Sequence, residues 1–254
     1  MIQDILLVLV GIVVGGMNAI AGGGMLIGFP VLIAVGGLPP LLANATGNIV
    51  TMPGQFTSAL GYRNYLRKVP LRYILLLIPC VIGAALGSLT LRSTSQAHFA
   101  KLIPLLVLFG VILFAFQPLL HFHLHRSLTG RRRKIVAFAI LGLSFLPLSF
   151  YGGYFGAGYG FIMLAFLGMT NLRDAHMING MKNVSAIFVS GTSIVCLYGA
   201  HLIHWRQGLF MAAGSMIGGY AGARGAQKVS SHWLRVFIII VGIGAVIYLA
   251  FRDY

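Results

Sequence analysis

The sequence predicts an all-α integral membrane protein: a polytopic helical bundle of two inverted repeats, with about eight to ten membrane segments, two of them short and broken or re-entrant. Three observations carry this. The composition is apolar and almost free of acids, ten apolar stretches run along the chain, most of them near spanning length, and the chain repeats its own residues half-way along. Of 254 residues, 58% are hydrophobic and 8% charged, and mean hydropathy is +0.92. A soluble domain carries roughly 25% charged residues and needs them to cover its surface. Lipid is the solvent that suits this chain.

Ten apolar segments run at 2–21, 24–38, 43–61, 71–91, 99–119, 135–151, 158–169, 176–199, 207–223 and 233–251. A spanning helix needs about 20 residues, and 24–38 and 158–169 fall short. Each follows a glycine cluster, Gly22-Gly23-Gly24 in one case and Gly156-Ala157-Gly158-Tyr159-Gly160 in the other. Glycine frees the backbone from helical geometry, and such a break is tolerated at membrane depth only inside protein or along a polar cavity. The first segment resembles the apolar core of a signal peptide. Its Met1-Ile2-Gln3-Asp4 start lacks the positive flank that such a peptide needs, so it reads as mature structure.

The repeat appears on shifting the first half by 135 residues. Asn48 then falls on Asn183, Thr57-Ser58 on Thr192-Ser193, Ile82-Gly83 on Ile217-Gly218 and Ala115-Phe116 on Ala250-Phe251. The glycine clusters match at a shift of 136, Gly24 with Gly160. This divides the chain into a first membrane repeat at 1–119, a basic cytoplasmic linker at 120–134 and a second membrane repeat at 135–254.

Charge sets the expected orientation. If all ten segments cross, one side receives 14 of the 18 basic residues and the other side 4. If the two short ones do not cross, the split is 11 to 7. Lys and Arg favour the cytoplasmic side, so ten crossings are expected, with inverted halves and both termini outside. The linker, with His121, His123 and His125 followed by Arg131-Arg132-Arg133-Lys134, reads as a solvated stretch near anionic lipid. The basic residues sit in short breaks without an aromatic stacking platform, so no nucleic-acid partner is expected.

Enzyme chemistry finds no constellation. Asp4, Asp174 and Asp253 are the only acidic residues, so no carboxylate pair or carboxylate metal site can be built, and no phosphate-binding G-x-x-x-x-G-K-[ST] loop is present. Cys80 and Cys196 lie inside apolar runs and read as packing residues. No cofactor and no metal are expected. Nor is a proton relay through buried carboxylates; His98, His176, His201, His204 and His232 remain as titrating groups.

Candidate site residues gather at and just after the breaks. A helix that starts behind a glycine break offers free N–H groups and a positive dipole end. Two such half-helices can form a midplane anion site, to which Gly22, Gly23, Gly24, Gly158 and Gly160 would belong. The alternative for these glycines is close helix packing. Asn44, Thr46, Asn48 and Thr51 follow the first short segment; Asn179, Lys182, Asn183 and Ser185 follow the second. Polar groups in lipid face protein or water, so these either line a substrate path or bond helix to helix. Lys182 would either face an anionic substrate or snorkel to the interface. Tyr151, Tyr154 and Tyr159 read as interfacial anchors.

The stretch from Gly22-Gly23-Gly24 through Pro30 to Ala43-Asn44-Ala45-Thr46, and its echo from Gly152 to Asn183, resembles the TauE/SafE sulfite exporter family. The resemblance covers nearly the whole chain. It implies transport, commonly export, of sulfite, sulfonates or related sulfur-containing anions. The second repeat departs from the family's fuller glycine run at Ala157-Gly158-Tyr159-Gly160. The expected function is therefore secondary transport of a small anion across the cytoplasmic (inner) membrane, with the lipid bilayer and that anion as partners and homo-oligomer formation left open. An anion channel or passive pore is the first alternative, and a membrane assembly factor without transport the second.

Overall fold

The computed structural model describes residues 2–106, 108–109, 131–168, 170, 172 and 174–225. The histidines of the linker, the tenth apolar segment and the C-terminal end of the chain lie outside these. Every described element is helical: α1 (Ile2–Ile20), α2 (Met25–Ala34), α3 (Pro40–Gly61), α4 (Arg63–Leu66), a 3-10 turn at Leu71–Leu76 and α5 (Leu77–Ser93). Then come α6 (96–106), α7 (Arg131–Tyr154), α8 (Tyr159–Gly168), α9 (Ala175–Leu197), a 3-10 turn at Tyr198–Ala200 and α10 (Trp205–Gly225).

Ile2–Ile20, Leu71–Ser93 and Ala175–Ala200 are long and apolar enough to cross a bilayer. α3 and α10 have spanning length too, 22 and 21 residues. They are less apolar because their polar side chains turn inward: Asn44, Thr46, Thr51, Gln55, Ser58 and Ser215 are all buried. In lipid the outward face must be apolar and the polar groups must find protein. Ile5, Leu9, Leu75, Ile78, Leu86, Leu209 and Ile217 accordingly face outward.

Small residues set the main helix pairs. A Cβ on Gly11 would stand 2.1 Å from the Met211 carbonyl oxygen, and one on Gly15 2.1 Å from that of Ser215. α1 and α10 therefore pack backbone to backbone through a small-xxx-small seam. Residue numbers rise together along this seam, and Asp4 pairs with Arg206 at its start (3.2 Å), so the two helices run parallel. α3 also runs parallel to α10: His204 N donates to Thr46 Oγ1 (3.0 Å) near one end and Ser58 Oγ to Gly219 O (3.0 Å) near the other. α5 and α7 form the corresponding parallel pair, with Gly83 against Leu146 and Gly87 against Phe150.

Because α1 and α3 point the same way, the stretch between them must carry the chain back. Gly24 lies on the Val14 backbone, and Gln3 Nε2 donates to Val35 O (2.6 Å). α2 thus starts part-way down α1 and ends level with its beginning, returning the chain in ten helical residues. α5 packs on α9, with Ser88 Oγ donating to Ser193 Oγ (2.8 Å), and just beyond its end Leu41 N of α3 donates to Gln96 Oε1 (3.2 Å). α9 is antiparallel to α3, with Thr51 beside Ser190 (3.4 Å) and Tyr62 stacked on His176. One set, α1, α3 and α10, therefore runs against the other, α5, α7 and α9, and α8 returns the chain between α7 and α9 as α2 does between α1 and α3.

These directions sort the charges. Arg63, Arg67, Lys68, Arg72 and Arg224 are exposed at one end of the bundle, and Arg92, Lys101 and Arg206 at the other. Lys182, counted with the loop charges in the sequence, is instead buried within α9. Among the described exposed residues the two ends therefore carry five and three basic residues.

Candidate functional site

Each break begins as a helix C-terminus. Ala21 N and Gly22 N both return to Met17 O (2.8 and 3.0 Å), while Phe155 N and Gly156 N return to Tyr151 O (2.9 and 3.2 Å). Gly22 (φ 96°) and Gly156 (φ 75°) take the left-handed conformation that ends a helix. The two breaks thus correspond at a shift of 134, two less than the glycine match in the sequence, and the second holds a further left-handed glycine, Gly158 (φ 82°).

The breaks meet. A Cβ on Gly22 would lie 2.6 Å from the Gly160 Cα, and one on Gly160 2.5 Å from the Gly22 Cα. Below this crossing, between α3 and α9, lies a cavity of about 40 Å³, room for about three waters. Seven of the candidate residues gathered at and after the breaks line it: Gly22, Asn44, Asn48, Thr51, Gly160, Lys182 and Asn183. The others stand nearby, Ser185 among them as a buried side chain of α9. Gly23 lies under the Phe161 ring and Gly24 against Val14. Gly158 turns the second break, Thr46 accepts from His204 N, and Asn179 accepts from Lys182 (3.3 Å).

Lys182 is 1% exposed and does not snorkel. Its Nζ donates to Asn18 O (2.5 Å) and Ala19 O (3.3 Å), carbonyls in the last turn of α1. The negative end of a helix suits a cation. Asp174 is a helix cap, its Oδ1 accepting from His176 N (2.8 Å) at the start of α9.

Asn183, also 1% exposed, is the telling residue. Neither its Nδ2 nor its Oδ1 has a hydrogen-bond partner among the described residues, although both are buried. A buried carboxamide left without partners costs about 1–3 kcal/mol per group, so its place in the cavity wall points to a ligand or water. The lining also contains Asn18, Thr51, Gln55 and Ser190 and no carboxylate. Thr51 Oγ1 and Ser190 Oγ lie 3.4 Å apart, and Ser190 Oγ donates to Gln55 Oε1 (3.3 Å), closing one side. Met25, Phe155, Ala186 and Val189 give the wall its apolar part, and Tyr159 lines it too. The wall thus combines carboxamides and hydroxyls with an ammonium and holds no carboxylate, a chemistry that can donate hydrogen bonds to a small anion.

Asn18, Gln55 and Ser190 were not singled out in the sequence. Gln55 continues the face of Asn44, Asn48 and Thr51 by one helical turn, a signal that periodicity offered. Asn18 precedes the break, and only its partners reveal it: Oδ1 accepts from Gly24 N (2.8 Å), tying the start of α2 to the end of α1. One amide of the expected anion cradle is thus already taken. The tyrosines also differ from expectation. Tyr159 is buried with its hydroxyl 3.3 Å from Ser149 Oγ, and Tyr151 donates to Ala157 O (2.8 Å), so both brace the second break rather than an interface.

The family model "Sulfite exporter TauE/SafE" matches residues 7–249. A probable membrane transporter protein of Haemophilus influenzae (strain ATCC 51907 / DSM 11121 / KW20 / Rd) is 33% identical over 251 residues, covering 94% of this chain and 91% of that protein. The probable membrane transporter protein ORF9 of Sinorhizobium sp is 26% identical, with 92% and 87% covered. The probable membrane transporter protein YfcA of Escherichia coli (strain K12) is 26% identical, with 91% and 84% covered. No solved structure matches. A multi-pass helical bundle, with a match across almost its whole length, places this chain in the TauE/SafE sulfite exporter family of membrane transporters.

Proposed function

We propose that this transporter is a secondary carrier that exports a small oxyanion, sulfite or a related sulfur-containing anion, and that the anion sits in the cavity under the crossed breaks. The observation that carries this is the unpartnered carboxamide of Asn183, set in the same acid-free wall as Lys182 and Gly160. Asn183 Nδ2 and the N-terminal end of α8 would donate to the anion, and the ammonium of Lys182 would supply the charge that selects it. The size of the cavity favours a compact anion over an extended one.

The alternating-access frame follows from the same reading. We take 1–119 and 135–254 as an inverted duplication joined by a cytoplasmic linker at 120–134. The opposed directions of α1 and α7, α3 and α9, and α5 and α10 support it, as does the charge asymmetry of the bundle ends. The bodies that would rock are the two sets, α1, α3 and α10 against α5, α7 and α9, each drawing helices from both halves. The reading is tested in proteoliposomes loaded with sulfite, sulfate, thiosulfate or a short sulfonate. A carrier gives saturable flux and counter-exchange; linear, non-exchanging flux would identify a pore, and no flux with any of these anions would refute the substrate class.

A further inference from the structure

The two broken helices end alike but are capped by different charges. On α7, Tyr154 O accepts from Asn44 Nδ2 of α3 at 2.9 Å. On α1, Asn18 O and Ala19 O accept from Lys182 Nζ of α9 at 2.5 and 3.3 Å, and Asn179 Oδ1 is the third acceptor at 3.3 Å. The geometric task is the same, and in one half a neutral amide performs it. An ammonium at membrane depth is far more costly to bury than an amide. The described acids are engaged elsewhere, Asp4 with Arg206 and Asp174 as the cap of α9. Holding α1 in place therefore does not explain why the residue is charged.

The surroundings of the ammonium do. Two carbonyl oxygens at the negative end of a discontinuous helix, with a carboxamide oxygen beside them, form the kind of site at which carriers with broken helices hold a monovalent coupling cation. We propose that Lys182 is a tethered replacement for that cation: it fixes α1 against α9 beside the anion site, makes transport independent of sodium, and on truncation leaves a site that a small monovalent cation can fill. The proposal rests on the carrier reading for its role in transport. The geometry of the oxygen site stands without it. Tyr62 Oη, which donates to the same Ala19 carbonyl (3.4 Å), is neutral and closes the far side.

The test uses the purified full chain in detergent. Thermal midpoints are measured in equal concentrations of choline, sodium and methylammonium chloride for wild type, Lys182→Ala and Lys182→Gln. Wild type should be indifferent to the cation. Lys182→Ala should melt lower in choline and gain several degrees, saturably, from sodium or methylammonium, whichever fits the vacated oxygens. Lys182→Gln, whose amide still donates there, should not respond. A Lys182→Ala protein indifferent to both cations, or a wild type stabilised by sodium, overturns the proposal. If the alanine variant does not fold, flux in proteoliposomes decides. The glutamine variant should lose at least about tenfold in anion transport, and wild type should run equally well in choline and sodium. Wild-type rates from the glutamine variant, or a sodium requirement in wild type, would each refute it. Melting needs no substrate, so a failure of the anion assignment shows separately, as absence of wild-type flux.

Discussion

Gly22 and Gly160, 138 positions apart in the chain, touch backbone to backbone where the two broken segments cross, and neither leaves room for a single methyl. Gly22 also needs the left-handed conformation (φ 96°). Gly22→Ala therefore incurs two costs, about 1–2 kcal/mol for the backbone and about 1–3 kcal/mol for overlap. Gly37 is a built-in control: it shares the positive φ (68°), but a Cβ there meets nothing within 4 Å. Gly37→Ala should show only the first cost. Chemical unfolding of the two variants side by side checks this, and equal losses would mean that the breaks are not in contact.

Asn183→Ala should separate function from stability. Its Nδ2 and Oδ1 have no hydrogen-bond partner among the described residues, so their removal should leave the melting midpoint unchanged or raise it. A hydrogen bond to a charged ligand is worth about 1.5–3 kcal/mol, so anion flux should fall roughly 10- to 100-fold. A variant that melts lower while transporting normally would make Asn183 a structural residue.

Asn18 offers a test of charge sign. Asn18→Asp keeps the acceptor for Gly24 N but puts a carboxylate in the cavity wall, so the protein should fold and lose anion transport. Asn18→Ala removes the acceptor and leaves a buried N–H, costing about 1–3 kcal/mol in stability. Melting and flux of both variants check the pair, and full anion transport by Asn18→Asp would take the anion away from this cavity.

Topology is accessible to labelling. In a background with Cys80 and Cys196 replaced by Ser, a cysteine at Lys68 should react with membrane-impermeant reagents only after cell lysis, and one at Lys101 in intact cells. Both lysines are exposed, at opposite ends of the bundle. The reverse pattern would turn the protein over in the membrane and place the linker outside.

The sequence by itself determined the solvent, the helices and the places where they break. Composition left no other medium, and the runs from 2–21 and 71–91 carry their own spanning signal, since helix formation in lipid is a local matter of backbone hydrogen bonds. The glycine clusters and the asparagines that follow them were legible for the same reason: a polar or helix-breaking residue in an apolar run has to be accounted for where it stands. Direction and partnership were not local. Only the packing of α1 and α3 on α10 reveals that the ten residues of α2 return the chain. Only the packing of α9 on the end of α1 turns Lys182 from a candidate interfacial anchor into a buried helix cap. The tertiary structure likewise decided which of these glycines line the cavity and which pack elsewhere. Gly22 and Gly160 face the cavity while Gly23 lies under Phe161, a distinction that depends on what the opposite half brings to the crossing.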